Sequence, residues 1–141
     1  MMNQAALEEL ARKIARTVTP GSKLFLSGDL GAGKSVFARA VLRELGVTGS
    51  IPSPSFIVDA VYRSSGLEIH HIDLYRLEGN TEEMEFYGIY EVLESDAVVI
   101  VEWAERLDTD TLSKGIFVNI SFTGDSMMRK VIVDDRGMAG N

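Results

Sequence analysis

The chain contains no cysteine, only two histidines, one tryptophan and three prolines among its 141 residues. Without cysteine it has neither disulfides nor thiolate metal sites, which fits a cytoplasmic location. The histidines do not fill the gap. His70 and His71 are adjacent, and neighbours on a strand point to opposite faces, so they do not chelate one ion together. Long apolar runs are also missing: none approaches the ~18–20 residues that cross a bilayer. Met1 to Val18 is amphipathic and broken by charges, unlike a secretory leader. Repeats and composition-biased linkers are absent as well, so residues 1–136 are expected to form one domain, with Gly137 to Asn141 a disordered tail.

Basic charge is scarce in the middle of the chain. The net charge is −7, and thirteen acids lie between Gly66 and Asp110 against only Arg76 and Arg106. Residues 1–50 carry seven Lys/Arg against four Asp/Glu. An acidic middle disfavours non-specific nucleic-acid binding by that face, so any RNA in this protein's biology is expected to be held by a partner.

What is present centres on Gly28-Asp29-Leu30-Gly31-Ala32-Gly33-Lys34-Ser35, a G-x-x-x-x-G-K-[ST] phosphate loop. Glycines allow successive N–H groups to turn inward around phosphate oxygens, and a following helix presents its unpaired N–H groups to the same anion. Lys34 suits the β- and γ-phosphates and the Ser35 hydroxyl suits Mg²⁺. Asp29, Gly31, Ala32, Gly33, Lys34, Ser35 and Val36 are the expected nucleotide contacts. The flanks agree, because Lys23 to Ser27 has strand length and Ser35 to Leu45 is apolar at helical spacing, with Gly46 placed as a C-cap.

Elsewhere, Leu7, Leu10, Ala11 and Ile14 form one face of an amphipathic helix that Thr19-Pro20-Gly21 ends. Its expected role is to cover a sheet, with a contribution to the adenine pocket as the lesser alternative. Ser50 to Phe56 holds two prolines, is stiff, and is a connection or a switch bringing Ser53 or Ser55 to the γ-phosphate or its Mg²⁺. Phe56–Tyr62 and Leu67–Asp73 read as hairpin strands joined by Arg63-Ser64-Ser65-Gly66. Thr81 starts a short acidic helix that Tyr87-Gly88 breaks, and Ile89 to Leu93 forms another. That acid run is either a solvated face or a docking surface for a basic partner. Ala97 to Trp103, apolar on both faces, reads as a central parallel strand. Ile116–Phe122 and Arg129–Val133 read as a second hairpin around Thr123 to Ser126. The expected class is α/β: a three-layer α/β/α phosphate-loop NTPase with a mainly parallel central sheet and antiparallel hairpin additions.

Asp73 and Glu102 each end an expected strand, and ligands of open α/β sheets bind beyond the C-terminal strand ends. Hydrolysis at a phosphate loop needs one acid to hold Mg²⁺ with Ser35 and one to orient the attacking water. Glu102, after four aliphatics, suits the metal position and Asp73 is the second candidate, but spacing alone does not divide the two jobs. With Lys34, these acids form the expected catalytic set; Ser35, Glu102 and Asp73 are the candidate metal ligands.

The phosphate loop, Ser53-Pro54-Ser55-Phe56, His71-Ile72-Asp73-Leu74-Tyr75-Arg76-Leu77 and Val101-Glu102-Trp103-Ala104-Glu105, in this order, resemble the TsaE (YjeE) family of small bacterial ATPases required for threonylcarbamoyladenosine synthesis on tRNA. The resemblance covers about Leu7 to Val133. It implies that Lys34 binds phosphate, that Ser35 and Glu102 hold Mg²⁺, that Asp73 serves hydrolysis, and that the Ser53–Phe56 segment, with Ser55 on the nucleotide, is the switch. It also implies ATP and ADP as ligands, weak ATPase activity alone, and docking on the TsaB–TsaD pair, with tRNA met only through partners. Ser35 and Ser55 replace the family's usual Thr, and Ala104 its usual Pro, which implies a looser turn after Trp103. A small-molecule kinase uses the same loop and is the rival reading. A GTPase is disfavoured because no Asn/Thr-Lys-x-Asp segment is present.

Overall fold

Four consecutive aliphatics, Val98 to Val101, form a strand with no polar face, and such a strand is stable only when covered on both sides. In the computed structural model, which describes residues 1–29, 31–49, 51, 58–77, 81–107 and 114–136 and omits the Thr81 side chain, this strand sits inside a six-stranded sheet. The strands are β1 (Lys23–Gly28), β2 (Asp59–Ser64), β3 (Leu67–Asp73), β4 (Val98–Glu102), β5 (Gly115–Phe122) and β6 (Arg129–Arg136), in the spatial order β2-β3-β4-β1-β5-β6. β3, β4, β1 and β5 run parallel, while the edge strands β2 and β6 pair antiparallel with β3 and β5.

Helices cover both faces. On one, Leu7, Ala11 and Ile14 of α1 (Gln4–Ala15) and Phe37, Val41 and Leu42 of α2 (Lys34–Glu44) pack on Leu24, Leu26, Ile69, Ile100, Val118 and Ile120. On the other, Met84 of α3 (Thr81–Phe86) and Ile89 of α4 (Ile89–Glu94) join Phe25, Ile72, Val99 and Val101. The alternation of strand side chains thus assigns Leu24, Leu26, Val98, Ile100 and Glu102 to the α1–α2 face. That is the three-layer α/β/α arrangement. Among the described residues no helix is long and apolar enough to cross a membrane.

The caps follow local chemistry. Asn3 accepts the Ala6 N–H at the start of α1 (2.9 Å). α2 ends in a Schellman turn, with Gly46 N–H on Arg43 O and Val47 N–H on Leu42 O. The hairpin boundaries differ from expectation. Arg63 and Ser64 remain in the β2–β3 ladder, opposite Glu68 and Leu67. The turn shrinks to Ser65-Gly66, both at positive φ (52° and 81°), a geometry that matches the twist of the two strands. β6 likewise extends past Val133 to Arg136 because each residue keeps a partner on β5. Leu30, the Pro52–Ile57 part of the proline segment and of the first hairpin strand, and the 137–141 tail lie outside the described residues.

Candidate functional site

β1 ends at Gly28, whose φ is +124°. A side chain there has no space, because an added Cβ would lie 1.9 Å from the Ile120 carbonyl oxygen of β5. Gly33, at φ +122°, caps α2 with no side-chain hydrogen bond, so the first N–H groups of the helix open into the loop. The loop is held from outside. Asp29 N–H donates to Ile120 O (3.2 Å) and Phe122 N–H to Asp29 Oδ2 (3.0 Å). Gly28 N–H donates to Glu105 Oε2 (3.2 Å) and Arg129 Nε to Ala32 O (3.1 Å). The Asp29 side chain and backbone N–H are therefore both occupied by β5, and its carbonyl, which accepts from the Ala32 N–H and Lys34 Nζ, is the part that faces the loop.

Lys34, the first residue of α2, is buried. Its ammonium donates to the Gly28 and Asp29 carbonyls and lies 4.0 Å from the centre of the Trp103 ring. Burial pushes its pKa down, against the pull of Glu105, Glu102, Asp29 and Asp73. Trp103 itself adopts a left-handed conformation (φ 61°) immediately after β4. The turn beyond it is closed by Arg106 N–H on Trp103 O and Leu107 N–H on Ala104 O, with Ala104 buried. Alanine here thus keeps an ordered 3-10 turn.

Asp73 and Glu102 occupy adjacent positions in the β3–β4 register, at the C-terminal ends of both strands. Ser35 Oγ donates to Glu102 Oε1 (2.9 Å). Burial raises the Asp73 pKa and the neighbouring Glu102 charge adds to the rise, while the Tyr75 N–H on its Oδ1 (2.9 Å) opposes it. Lys34, Ser35, Asp73 and Glu102 are thereby brought to one end of the sheet, beside the loop. Ser55 and Ser53 lie outside the described residues.

These groups fit the ligands that the loop pattern calls for. A hydroxyl and a carboxylate in contact, with a second carboxylate one strand away, are hard oxygen donors suited to Mg²⁺. Among the described residues no group of three or more His, Cys, Asp or Glu forms a complete cation cage. Mg²⁺ is ordinarily held by one or two carboxylates together with substrate phosphates, so this incomplete set is the expected kind. The uncapped helix end and the glycine turns suit a phosphate.

One member of the site carries no assigned role from the sequence. His71 is buried and donates from Nε2 to Glu102 Oε2 (2.6 Å); the i, i+2 spacing from Asp73 was the available signal for a shared face. On the other side of the loop, Gln4, Leu7, Gly31, Ala32, Gly33, Val36, Ser126, Met127 and Arg129 line a cavity of about 190 Å³. Arg129 also donates to Ser126 O and Met128 O (2.9 and 3.0 Å), tying the β5–β6 turn to the loop.

Comparison with known proteins agrees with this architecture. Residues 1–131 match the family described as Threonylcarbamoyl adenosine biosynthesis protein TsaE. The chain is 41% identical over 137 residues to the tRNA threonylcarbamoyladenosine biosynthesis protein TsaE of Streptomyces coelicolor, covering 93% of this chain and 91% of that one. It is 32% identical over 124 residues to the protein of the same name from Bacillus subtilis, covering 88% and 77%. The crystal structure of Bacillus subtilis YdiB superposes with a TM-score of 0.73 at 27% identity, over 96% of this chain and 82% of that one. With a phosphate loop facing two strand-end acids and a family match across most of its length, the chain belongs to the TsaE family of tRNA threonylcarbamoyladenosine biosynthesis proteins.

Proposed function

We propose that this chain is a cytoplasmic Mg²⁺-dependent ATPase that acts on a TsaB–TsaD pair during tRNA modification and turns over slowly by itself. The observation that carries the ATPase reading is the contact of Ser35 Oγ with Glu102 Oε1 (2.9 Å) at the mouth of the phosphate loop, with Asp73 in the adjacent register position. The glycine loop and the α2 terminus would bind the phosphates through N–H groups. Lys34 would exchange its bonds to the Gly28 and Asp29 carbonyls for phosphate oxygens. Ser35 and Glu102 would hold Mg²⁺, which supplies charge neutralisation at the β- and γ-oxygens. Asp73, whose pKa is raised by burial, would orient the water that attacks the γ-phosphorus as the β–γ bridging bond breaks. The cavity on the β5–β6 side, opposite the acids across β1, would take the base of ATP or ADP.

The test is phosphate release from ATP with Mg²⁺, alone and with purified TsaB–TsaD. Strong stimulation by the pair is expected, and Glu102→Ala should abolish the Mg²⁺-dependent part. Turnover that ignores the pair, with phosphate appearing on an added small-molecule acceptor, would replace this reading with a kinase.

A further inference from the structure

His71 is a buried imidazole to which the proposed chemistry gives no task. It lies on the face of β3 that carries Asp73 and is 1% exposed. Its Nε2 donates to Glu102 Oε2 at 2.6 Å, while Nδ1 has no partner among the described residues. The single hydrogen bond of this ring therefore goes to Glu102. Glu102 in turn divides its two oxygens, Oε2 to His71 and Oε1 to the Ser35 hydroxyl.

A glutamate at a strand end has three side-chain torsions, and holding it in one orientation costs conformational entropy. A buried donor on one oxygen removes the rotation that would turn the other oxygen away from Ser35. We infer that His71 is a positioning residue: it clamps Oε2 so that Oε1 is presented, together with Ser35 Oγ, to the divalent cation of the bound nucleotide. The inference rests on the cation reading of Ser35 and Glu102. Groups that orient a ligating side chain are commonly worth about 10–100-fold in metal affinity. A ring that only filled space would leave that affinity alone.

The experiment measures ADP affinity by calorimetry with excess Mg²⁺ and again with EDTA; the ratio of the two is the Mg²⁺-linked gain. For His71→Ala the gain should fall by about tenfold or more, with the metal-free affinity unchanged. His71→Gln, whose amide N–H reaches the Nε2 position, should recover most of the gain, and His71→Asn, whose amide is one bond shorter, should not. If His71→Ala fails to fold, the Gln and Asn pair decides, since equal gains in those two overturn the inference. A wild-type gain that persists in folded His71→Ala also overturns it and leaves the cation reading standing. ADP binding by the unaltered chain that is indifferent to Mg²⁺ overturns the cation reading, and the inference falls with it.

Discussion

Two lysines are buried at opposite ends of the parallel strands, and they use the same contact chemistry. Lys23 begins β1 and donates to Ser95 O and Ala97 O (2.9 and 2.6 Å). Lys34 follows the other end of β1 and donates to Gly28 O and Asp29 O. Burial lowers the pKa of both. Their surroundings differ. Lys23 has Asp96 as its opposing charge, whereas Lys34 feels Glu105, Glu102, Asp29 and Asp73 and lies against Trp103. At the Lys23 end, the carbonyls belong to the turn between α4 and β4, and the ammonium fastens that turn to β1. At the Lys34 end, they belong to a glycine loop, and the ammonium can leave them for a stronger acceptor. A lysine bonded to carbonyls is a fastener or a held charge according to what else is within reach.

The largest effect that would sharpen this contrast is on turnover. Lys34→Ala should cost roughly 10²–10³-fold in ATP hydrolysis, the size expected for one preorganised charge at a developing anion. Its thermal midpoint should stay close to that of the parent, because the loop carbonyls it releases lie at the mouth of the site and can turn to water. A variant that kept full hydrolysis would remove Lys34 from the site. One that melted as early as the Lys23 variant would erase the difference between the two ends.

Lys23→Met reverses the expectation. It leaves Ser95 O and Ala97 O without their donor, at about 1–3 kcal/mol per buried unpaired group, partly offset because a cation no longer has to be desolvated. A net loss of about 1–3 kcal/mol lowers the thermal midpoint by several degrees in a domain of this size. Phosphate release per folded molecule should not change. Loss of turnover without loss of stability would mean that the α4–β4 turn reaches the site.

The contrast explains how much the sequence discloses. The phosphate loop is a local pattern, and β1, α2 and the partners Lys34 and Ser35 follow from it between Lys23 and Glu44. Glu102 and Asp73 are legible because strand ends collect ligand groups in this class of sheet. Lys23 reads as an ordinary strand residue, since its carbonyl partners lie more than seventy residues away and backbone groups have no signature in sequence. His71 is hidden for a related reason. The two adjacent histidines invite the question whether they share an ion, and the answer, opposite faces, draws attention away from what each face holds. The hairpin ends are displaced because ladder hydrogen bonds carry polar residues such as Arg63 and Ser64 into the strand. That the Asp29 carboxylate and N–H are both taken by β5, through Phe122 and Ile120, is equally silent in the sequence, because those partners lie about ninety residues away.

The smallest expected effect concerns the other histidine. His70 faces away from the site and is held on both ring nitrogens: Nδ1 by Asp59 (2.8 Å to Oδ2) and Nε2 by Glu68 (2.9 Å). Burial opposes the charged ring, but the hydrogen bonds and charges of Glu68 and Asp59 prevail and raise its pKa above the ordinary value. Glu68 is held low in return, chiefly by the His70 bond, and it also pairs with Arg63 (2.9 Å). A folded pKa above the unfolded one makes the stabilisation complete below the unfolded value of about 6.5 and removes it as pH rises through the folded value. The thermal midpoint should therefore decline by a few degrees across that window, and His70→Asn should flatten the decline. Since His70 makes no bond to Lys34, Ser35, Asp73 or Glu102, nucleotide affinity in this variant should match the parent. A midpoint that rises with pH in the window would show that the His70 ring is neutral in the folded chain.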